Sequence, residues 1–303
     1  MLARALASVQ QQTFRDWHLV VVNNGGAHAP VDSVVDIARQ MDPSARISVV
    51  HLEDRYGMED ASNWGLAEAA GTEFFVIHDD DDSWHPRFLE TTVAEMAAQP
   101  DAVAVVTGVV KVHETYKNGR VWPVEHEDFH LVPERLTFEG LVGNNTFPPI
   151  AALFRSSLLD SVGRYDPSLP VLGDWEFNLR AVRAGRFAFA PERLANYHVR
   201  TPGSDVAAGN SITAGMDLHA RIKEELQQKW MSQPGDGVRS MGEMSVAGSA
   251  AMDALEEANL AAVRPVAPQP FVVRQAARVV KGIGTPGRSF NAVVRRVRNK
   301  AGW

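Results

Sequence analysis

Four consecutive aspartates give the strongest chemical signal in the sequence. The segment 73–78 (EFFVIH) is typical of a buried strand, and Asp79, Asp80, Asp81 and Asp82 follow it directly. A buried strand that ends in acids brings their carboxylates to the carboxyl edge of a sheet, where ligands bind in open α/β folds. Carboxylates suit Mg²⁺ or Mn²⁺, and such a metal commonly also binds phosphate oxygens. The alternative is a solvated turn that caps the next helix.

A second candidate carboxylate is Asp174, at the start of a predicted helix over 174–184 that Gly185 ends. Backbone N–H groups hold a carboxylate in place at a helix N-terminus, which suits a general base, although the helix dipole lowers its basicity. Glu176 lies within the same turn and competes for this role. The alternative for Asp174 is an ordinary N-cap.

The composition restricts the remaining chemistry. Of the 303 residues, 45% are hydrophobic and 22% are charged, so the chain can bury a large core and is not a disordered linker. Because the chain has no cysteine, it has no disulfide scaffold, thiolate metal site or thiol nucleophile. It contains no apolar run of about 18 residues and no signal-peptide pattern, so we expect a cytoplasmic protein.

The net charge of −7 is unevenly distributed. Residues 264–303 carry nine Lys or Arg and no acid, and the rest of the chain carries 21 basic and 37 acidic groups. Basic amphipathic segments can lie on anionic lipid, so this tail predicts a peripheral position on the inner face of a membrane. A tail that is disordered or docked on the acidic domain is the alternative. Nucleic acid is not expected as a partner, because the tail lacks interleaved aromatic residues.

Helices and strands alternate along the chain and would position these acids. Strands are predicted at 18–22, 46–52, 73–78, 102–112 and 151–155, and helices at 2–12, 30–40, 58–70, 86–99, 157–162, 174–184, 216–231 and 244–263. This alternation predicts an α/β fold with a mostly parallel, doubly wound sheet and a C-terminal helical extension. Residues 117–149 are predicted to be a loop-rich insertion that shapes a pocket, and 201–215 a mobile loop.

Three ordered segments within residues 1–200 resemble the inverting family 2 glycosyltransferases with the A-type fold. LARALASVQQQTFRDWHLVVVNNGG is similar to the family's first helix and second strand. NWGLAEAAGTEFFVIHDDDDSWHP is similar to its N-x-G segment followed by the D-x-D metal motif. VGRYDPSLPVLGDWEFNLRAVRAG is similar to its V-G-x-[FY]-D segment followed by the E-D-W-[DE] helix.

The resemblance implies transfer of a sugar from a nucleotide diphosphate donor to an acceptor hydroxyl, with inversion, in cell-surface polysaccharide or glycolipid synthesis. It implies Mn²⁺ or Mg²⁺ at the leaving diphosphate and one carboxylate that takes the acceptor proton. Asp81 matches the direct metal ligand, and Asp79 the acid that faces the donor ribose or a metal-bound water. Asp80 is the intervening position in the donor site, and Asp82 is expected to cap a helix. Asp174 matches the catalytic base.

Four further residues are implied in donor binding. Asn23 and Asn24 occupy the turn where the family has an acid that accepts the uracil N–H, and an Asn carbonyl can accept it too, so UDP is favoured. Arg55 matches a basic residue near the base or diphosphate, with a salt bridge to a neighbouring acid as the alternative. Asn63 matches the helix beside the donor, although packing would also explain it.

His198 and Arg200 lie in NYHVRTPGS, which resembles, in reversed order, a family segment that approaches the diphosphate or metal. Either residue can contact pyrophosphate. His198 can also be a neutral imidazole metal ligand, with a structural role as the alternative. The loop that follows is expected to close over the donor as a lid.

Two departures from the family pattern affect the functional prediction. Gly173 stands where the family has a Glu before the base, so an acceptor contact made by that Glu is missing; the acceptor is expected to be a saccharide or a lipid-linked acceptor. The sequence has no segment that matches the family's first strand, so we expect the working enzyme to be longer by about 15 to 20 residues. Both departures favour the alternative of a non-catalytic nucleotide-sugar-binding or scaffold protein.

The chain is predicted to comprise a glycosyltransferase domain (1–203), a lid loop with a helical extension (204–263) and a basic amphipathic tail (264–303). A sugar nucleotidyltransferase is disfavoured, since no Gly-rich phosphate loop with Arg and Lys lies near the start. A phosphatase with an Asp nucleophile is disfavoured because no matching motif follows Asp79.

Overall fold

An α/β fold is seen in the computed structural model, which describes residues 1–117, 120–129, 136–200 and 216–232. Its N-terminal part is a small sheet of two parallel strands, β1 (His18–Asn24) and β2 (Arg46–Leu52). Three helices accompany it, namely α1 (Leu2–Gln10), α2 (His28–Met41) and α3 (Met58–Glu68). Helix α2 packs on β2, α3 packs on β1, and α1 packs on α2. These five elements confirm the predicted ones, with shifts of a few residues at their ends.

A larger, six-stranded sheet forms the centre of the fold. Its strands are β3 (Phe74–Phe75), β4 (Ser83–Trp84), β5 (Ala102–Lys117), β6 (Arg120–Phe129), β7 (Ala152–Arg155) and β8 (Arg186–Arg200). The order is β3-β7-β5-β8-β4, with β6 paired to β5, and only β5 and β8 run parallel. The predicted α/β class is confirmed, but this sheet is mixed and not mostly parallel. Apolar periodicity identifies a strand without giving the direction of its neighbours.

Helices cover the larger sheet and complete the core. They are α4 (Phe88–Ala98), α5 (Phe138–Gly143), α6 (Leu158–Val162), α7 (Gly173–Ala184) and α8 (Met216–Met231), with a 3₁₀ turn at Pro149–Ala151. Helix α7 buries Trp175 and Phe177, and Phe177 packs edge-on against Phe154 of β7. The Trp175 Nε1–H donates to the carbonyl of Leu141 over 2.6 Å, which ties the start of α7 to α5.

One prediction about the strands is wrong, and one strand was not predicted at all. Residues 117–149 are not only loop, since β5 and β6 pair as a long antiparallel hairpin. The β6 sequence, RVWPVEHEDF, leaves Trp122 and Val124 exposed, so it lacks the apolar alternation of a half-buried strand. Strand β8, which carries His198 and Arg200, was not predicted either, because the Pro-Glu pair at 191–192 interrupts its apolar pattern.

Several predictions fall outside the described residues: the loop 201–215, the helix 244–263, the basic tail 264–303 and the domain boundaries after 203 and 263. Within the described residues, β1 pairs with β2 alone. The missing first strand and the longer working enzyme stay predictions. Among the helices of the described part of the chain, we find none with the length and hydropathy needed to span a bilayer.

Candidate active site

The four aspartates lie between β3 and β4 and occupy different environments. Asp79 and Asp81 are half-buried, Asp80 is exposed, and Asp82 is fully buried. Asp82 Oδ1 accepts the backbone N–H of His198 over 2.8 Å. Helix α4 starts only at 88, so the expected helix cap at Asp82 is wrong. Asp82 instead ties the acidic turn to β8.

A buried polar network contacts and supports the acidic turn. The Arg4 guanidinium of α1 donates to the Asp81 carbonyl and forms an ion pair with Glu114 of β5. Glu114 is 2% exposed, and His198 Nδ1 lies 2.9 Å from its carboxylate. Burial raises the pKa of Glu114, but the His198 and Arg4 donors outweigh it and hold that pKa below its usual value. The network therefore fixes the acidic turn relative to α1, β5 and β8.

His198 has partners at both ring nitrogens. Burial lowers its pKa and favours the neutral ring, so Nδ1–H donates to Glu114 and Nε2 accepts the Ser83 hydroxyl at 2.9 Å. The expected metal ligation by His198 is therefore not supported. Arg200 donates to Asp81 Oδ2 over 2.6 Å, which brings these two predicted donor-site residues together. Within the described residues, no three acidic or imidazole side chains converge on a point where they would hold a metal ion.

Asp174 is held by both α7 and a side chain that precedes it. Leu172 adopts a left-handed conformation (φ 63°, ψ 22°) at the N-cap, and the helix begins at the next residue. The Asn145 amide donates to Asp174 Oδ2 over 2.8 Å. Burial raises the pKa of Asp174 and outweighs the Asn145 and backbone hydrogen bonds that lower it. The helix dipole was expected to lower the basicity of Asp174, but burial raises its pKa above the usual value.

Asp174 and Asp79 line the same cleft. The cleft is narrow, with a cavity volume of about 10 Å³, and its lining consists of Met58, Glu59, Ser62, Ile77, Asp79, Pro149, Tyr165 and Asp174. Burial and the neighbouring charges of Asp81, Asp174 and Asp80 raise the pKa of Asp79 to about 7. A cluster of like charges with a raised pKa is typical of a site that binds a cation or exchanges a proton.

The Glu176 carboxylate is buried in an ion pair within the protein. It is 2% exposed, and the Arg180 guanidinium donates to its carboxylate from Nε and Nη2, at 2.7 Å for Nη2. It is absent from the described lining of the cleft. The structure therefore does not support Glu176 as the competing base, because its carboxylate serves a buried ion pair that stabilises α7.

The predicted donor residues at the end of β1 are held by neighbouring atoms. The Asn24 amide bridges the backbone of Tyr56, accepting from its N–H at 2.8 Å and donating to its carbonyl at 3.0 Å. The Asn23 amide nitrogen donates to the Gly26 carbonyl over 2.8 Å. Arg55 is exposed beside this turn and makes no ion pair within the described residues. Among the described residues, the side-chain oxygen of Asn24 accepts from Tyr56, whereas that of Asn23 accepts no hydrogen bond.

Asn63 links α3 to the segment before α7. Its amide donates to the Tyr165 carbonyl over 2.9 Å and accepts the Tyr165 N–H at 3.1 Å. Both ends of the side chain are therefore used within the protein. Packing, and not donor contact, explains this residue.

Sequence analysis missed four side chains that the structure brings to the site: Arg4, Glu59, Glu114 and Asn145. Each reaches the site from a distant segment. The available signals were weak: Arg4 belongs to the L-x-R-x-L segment, and Glu114 is a lone acid in an apolar strand. Glu59 and Asn145 carried no signal, because only the folded arrangement brings them beside Asp174.

Sequence relatives of this chain are glycosyltransferases. An uncharacterized glycosyltransferase, YwdF, of Bacillus subtilis (strain 168) is 28% identical over 227 residues, which are 75% of this chain and 77% of that protein. A PGL/p-HBAD biosynthesis glycosyltransferase of Mycobacterium bovis (strain BCG / Pasteur 1173P2) is 25% identical over 181 residues, or 59% of this chain and 64% of that protein. The chain therefore spans less than two thirds of the mycobacterial relative.

Solved structures share the fold. The mannosyltransferase PcManGT from Pyrobaculum calidifontis, in complex with GDP-Man and Mn²⁺, matches with a TM-score of 0.55 and 18% identity over 94% of this chain and 77% of that chain. S. aureus TarS matches with a TM-score of 0.54 and 16% identity over 82% of this chain and 40% of that chain. The family model described as glycosyl transferase family 2 matches residues 1–163, more than half of the chain. The chain therefore belongs to glycosyl transferase family 2 and is a glycosyltransferase.

Proposed function

We propose that the chain is a metal-dependent, inverting glycosyltransferase that moves a sugar from a nucleotide diphosphate to an acceptor hydroxyl. The observation that carries this proposal is the cleft that Asp79 of the acidic turn and Asp174 of α7 line together. A donor diphosphate at Asp79 and Asp81 would leave its sugar facing Asp174. A base on one side of the anomeric carbon and a leaving group on the other is the arrangement of a single, inverting displacement.

Asp174 is the proposed general base. Its carboxylate accepts the proton of the acceptor hydroxyl as the hydroxyl oxygen bonds to the anomeric carbon, and the bond from that carbon to the diphosphate oxygen breaks. The leaving diphosphate takes the electron pair of the broken bond. The raised pKa of Asp174 makes it a stronger base than an exposed Asp, and Asn145 keeps its carboxylate oriented.

The acidic turn fits a divalent metal that arrives together with the donor. Mg²⁺ is commonly held by one or two carboxylates plus substrate phosphates, and Mn²⁺ also prefers oxygen ligands, so a three-residue protein site is not required. Asp79 and Asp81 offer these carboxylates, and the like charges that raise the pKa of Asp79 would be relieved by a cation. When bound, the metal would stabilise charge on the leaving diphosphate. Arg200, beside Asp81, is proposed to contact the same diphosphate.

The nucleotide is proposed to bind at the carboxyl ends of β1 and β2, where it could contact the side-chain oxygen of Asn23 and the exposed Arg55. UDP is the favoured nucleotide, since that oxygen can accept the N–H of uracil. PcManGT was solved with GDP-Man, so guanine is the first competitor to test. A saccharide or lipid-linked acceptor, and a membrane contact through 264–303, remain parts of this proposal.

A donor and metal panel tests the proposal. The full chain is incubated with UDP-glucose, UDP-N-acetylglucosamine, UDP-galactose or GDP-mannose, with octyl glycosides as acceptors, in Mn²⁺, Mg²⁺ or EDTA. We expect transfer from one donor, dependence on the metal, and inverted anomeric configuration by NMR. Asp81→Asn should remove the metal response, whereas Asp36→Asn, at an exposed carboxylate on α2, should leave it unchanged. No turnover with any donor would support the non-catalytic alternative, and retained configuration would contradict the mechanism.

A further inference from the structure

Glu59 of α3 fills the space of a side chain at position 173. An ideal Cβ on Gly173 would lie 2.7 Å from Cδ of Glu59 and closer still to Cγ. The Gly173 N–H also donates to Glu59 Oε1 over 3.1 Å. A side chain at 173 and the observed position of Glu59 therefore exclude each other. The family pattern has a Glu at position 173, on α7. In this chain Glu59 of α3 brings a carboxylate to that place instead.

Within the part of the chain that the structure describes, the second carboxylate oxygen of Glu59 has no hydrogen-bond partner. The residue is 2% exposed, and Oε2 is buried without a hydrogen bond among the described residues. A buried carboxylate oxygen without a donor is costly, so a ligand that supplies one is favoured there. Glu59 lines the cleft together with Asp79 and Asp174, where such a ligand would enter. Glu59 thus brings a buried carboxylate with one unbonded oxygen to the lining of the proposed reaction site.

The lining of the cleft indicates the chemistry of that ligand. Among the described lining residues three are acids and none is basic, which disfavours an acceptor that presents an anionic group to Glu59. Burial, together with the charges of Asp174 and Asp60, raises the pKa of Glu59. Either protonation state of a carboxyl group can hydrogen bond to a hydroxyl. An uncharged, hydroxyl-bearing sugar fits these requirements, and Met58 and Pro149 offer apolar surface to its ring.

Helix α3 holds Glu59 in a fixed place. The Asn63 side chain, one turn further along α3, is bonded at both ends to the backbone of Tyr165. The Gly173 N–H fixes the carboxylate itself. Residues held on a rigid element by such contacts are suited to position a substrate group.

We propose that Glu59 is an acceptor-binding residue whose Oε2 bonds to a hydroxyl of the acceptor sugar, next to the hydroxyl that Asp174 deprotonates. Gly173 is required because it leaves room for Glu59. This inference rests on the proposed function. It also means that the missing Glu at 173 does not leave the acceptor site without its carboxylate.

Kinetics of substitutions at both positions test the proposal. The probes are octyl β-D-glucopyranoside and octyl α-D-mannopyranoside, with the donor found in the panel. Glu59→Ser should raise the acceptor KM about tenfold, as expected for one charge-assisted hydrogen bond, and change the donor KM less than twofold. Glu59→Ser with Gly173→Glu should recover much of the loss. Glu68→Ser, at an exposed position of the same helix, is the matched control.

An acceptor KM in Glu59→Ser equal to that of the unmodified chain would overturn the proposal. An unmodified chain that turns over no donor would contradict the proposed function instead. In that case the affinity for octyl β-D-glucopyranoside is measured by calorimetry, with UDP saturating, for the unmodified chain and for Glu59→Ser. Equal affinities of these two proteins would overturn the role of Glu59.

A double-mutant cycle in urea denaturation tests the packing. Gly173→Ala should destabilise the full chain, because its Cβ displaces the Glu59 carboxylate. In a Glu59→Ala background the same substitution should cost less than half as much. Additive effects of the two substitutions would show that the side chains do not share this space, and would also overturn the inference.

Discussion

The hydrogen bond from Asn145 to Asp174 should set the pH at which the enzyme loses activity. The amide donates to Asp174 Oδ2 over 2.8 Å and stabilises the ionised carboxylate. Asp174 must be ionised to act as a base, so transfer falls as the pH drops below its pKa. Because Asn145→Ala removes a donor to the charged form, it raises this pKa further and moves the acidic limb of the pH profile upwards.

The size of this shift follows from the type of bond. A hydrogen bond to a charged group contributes about 1.5 kcal/mol at the lower end of its usual range, and the half-buried position of Asp174 favours this lower value. One pKa unit corresponds to about 1.4 kcal/mol. The acidic limb of kcat/KM should therefore move up by about one pH unit in Asn145→Ala.

The assay is the pH dependence of kcat/KM for the acceptor, measured with saturating donor and metal. Asn144→Ala is the matched control, since this neighbouring amide faces Lys223 and not Asp174. We expect its acidic limb to coincide with that of the unmodified chain. If Asn145→Ala lowers the rate equally at all pH values, the bond to Asp174 does not control its ionisation and the argument fails.

Three further substitutions separate structural from catalytic roles. Glu176→Gln should lower the free energy of unfolding by about 3 kcal/mol in urea denaturation, because it breaks the buried ion pair with Arg180. The pH dependence of kcat/KM should not change. A shift of that pH dependence would indicate that Glu176 acts as the base. Arg4→Ala should lower kcat, and it should lower the free energy of unfolding by about 2 kcal/mol, because Glu114 and the Asp81 carbonyl lose a hydrogen-bond donor. An unchanged kcat would show that the polar network of Arg4, Glu114 and His198 does not support the acidic turn. Gly108→Ala should lower the melting temperature, because the new Cβ would lie 3.1 Å from the Glu192 carbonyl oxygen of β8. An unchanged melting temperature would show that the backbone of β8 moves to make room for the methyl group.

The sequence predicted the parts of the site that local patterns encode. The acidic turn follows an apolar strand, and Asp174 starts a helix, so their residue types and positions were visible without the fold. Strands β1 and β2 were predicted for the same reason, since each is a short run of β-branched residues. Local pattern therefore sufficed for the two carboxylates that line the cleft.

Long-range contacts escaped prediction. Glu59 is 114 residues from Gly173 along the chain, and Arg4 is 110 residues from Glu114. No periodicity records which of many charged residues will meet across such distances. The ring of His198 was equally ambiguous, because its two hydrogen-bond partners, Ser83 and Glu114, lie on other strands. These partners decide between a metal ligand and a structural histidine.

The most direct test of the account is the effect of Asp174→Asn on transfer and on donor affinity. An amide has nearly the shape of the carboxylate but cannot accept the acceptor proton, and general bases typically contribute 10²–10⁴-fold to rate. The account predicts a loss of transfer in that range, with an affinity for the donor, measured by calorimetry, within about twofold of the unmodified chain. Transfer at the unmodified rate, or loss of donor affinity equal to the loss of transfer, would contradict it.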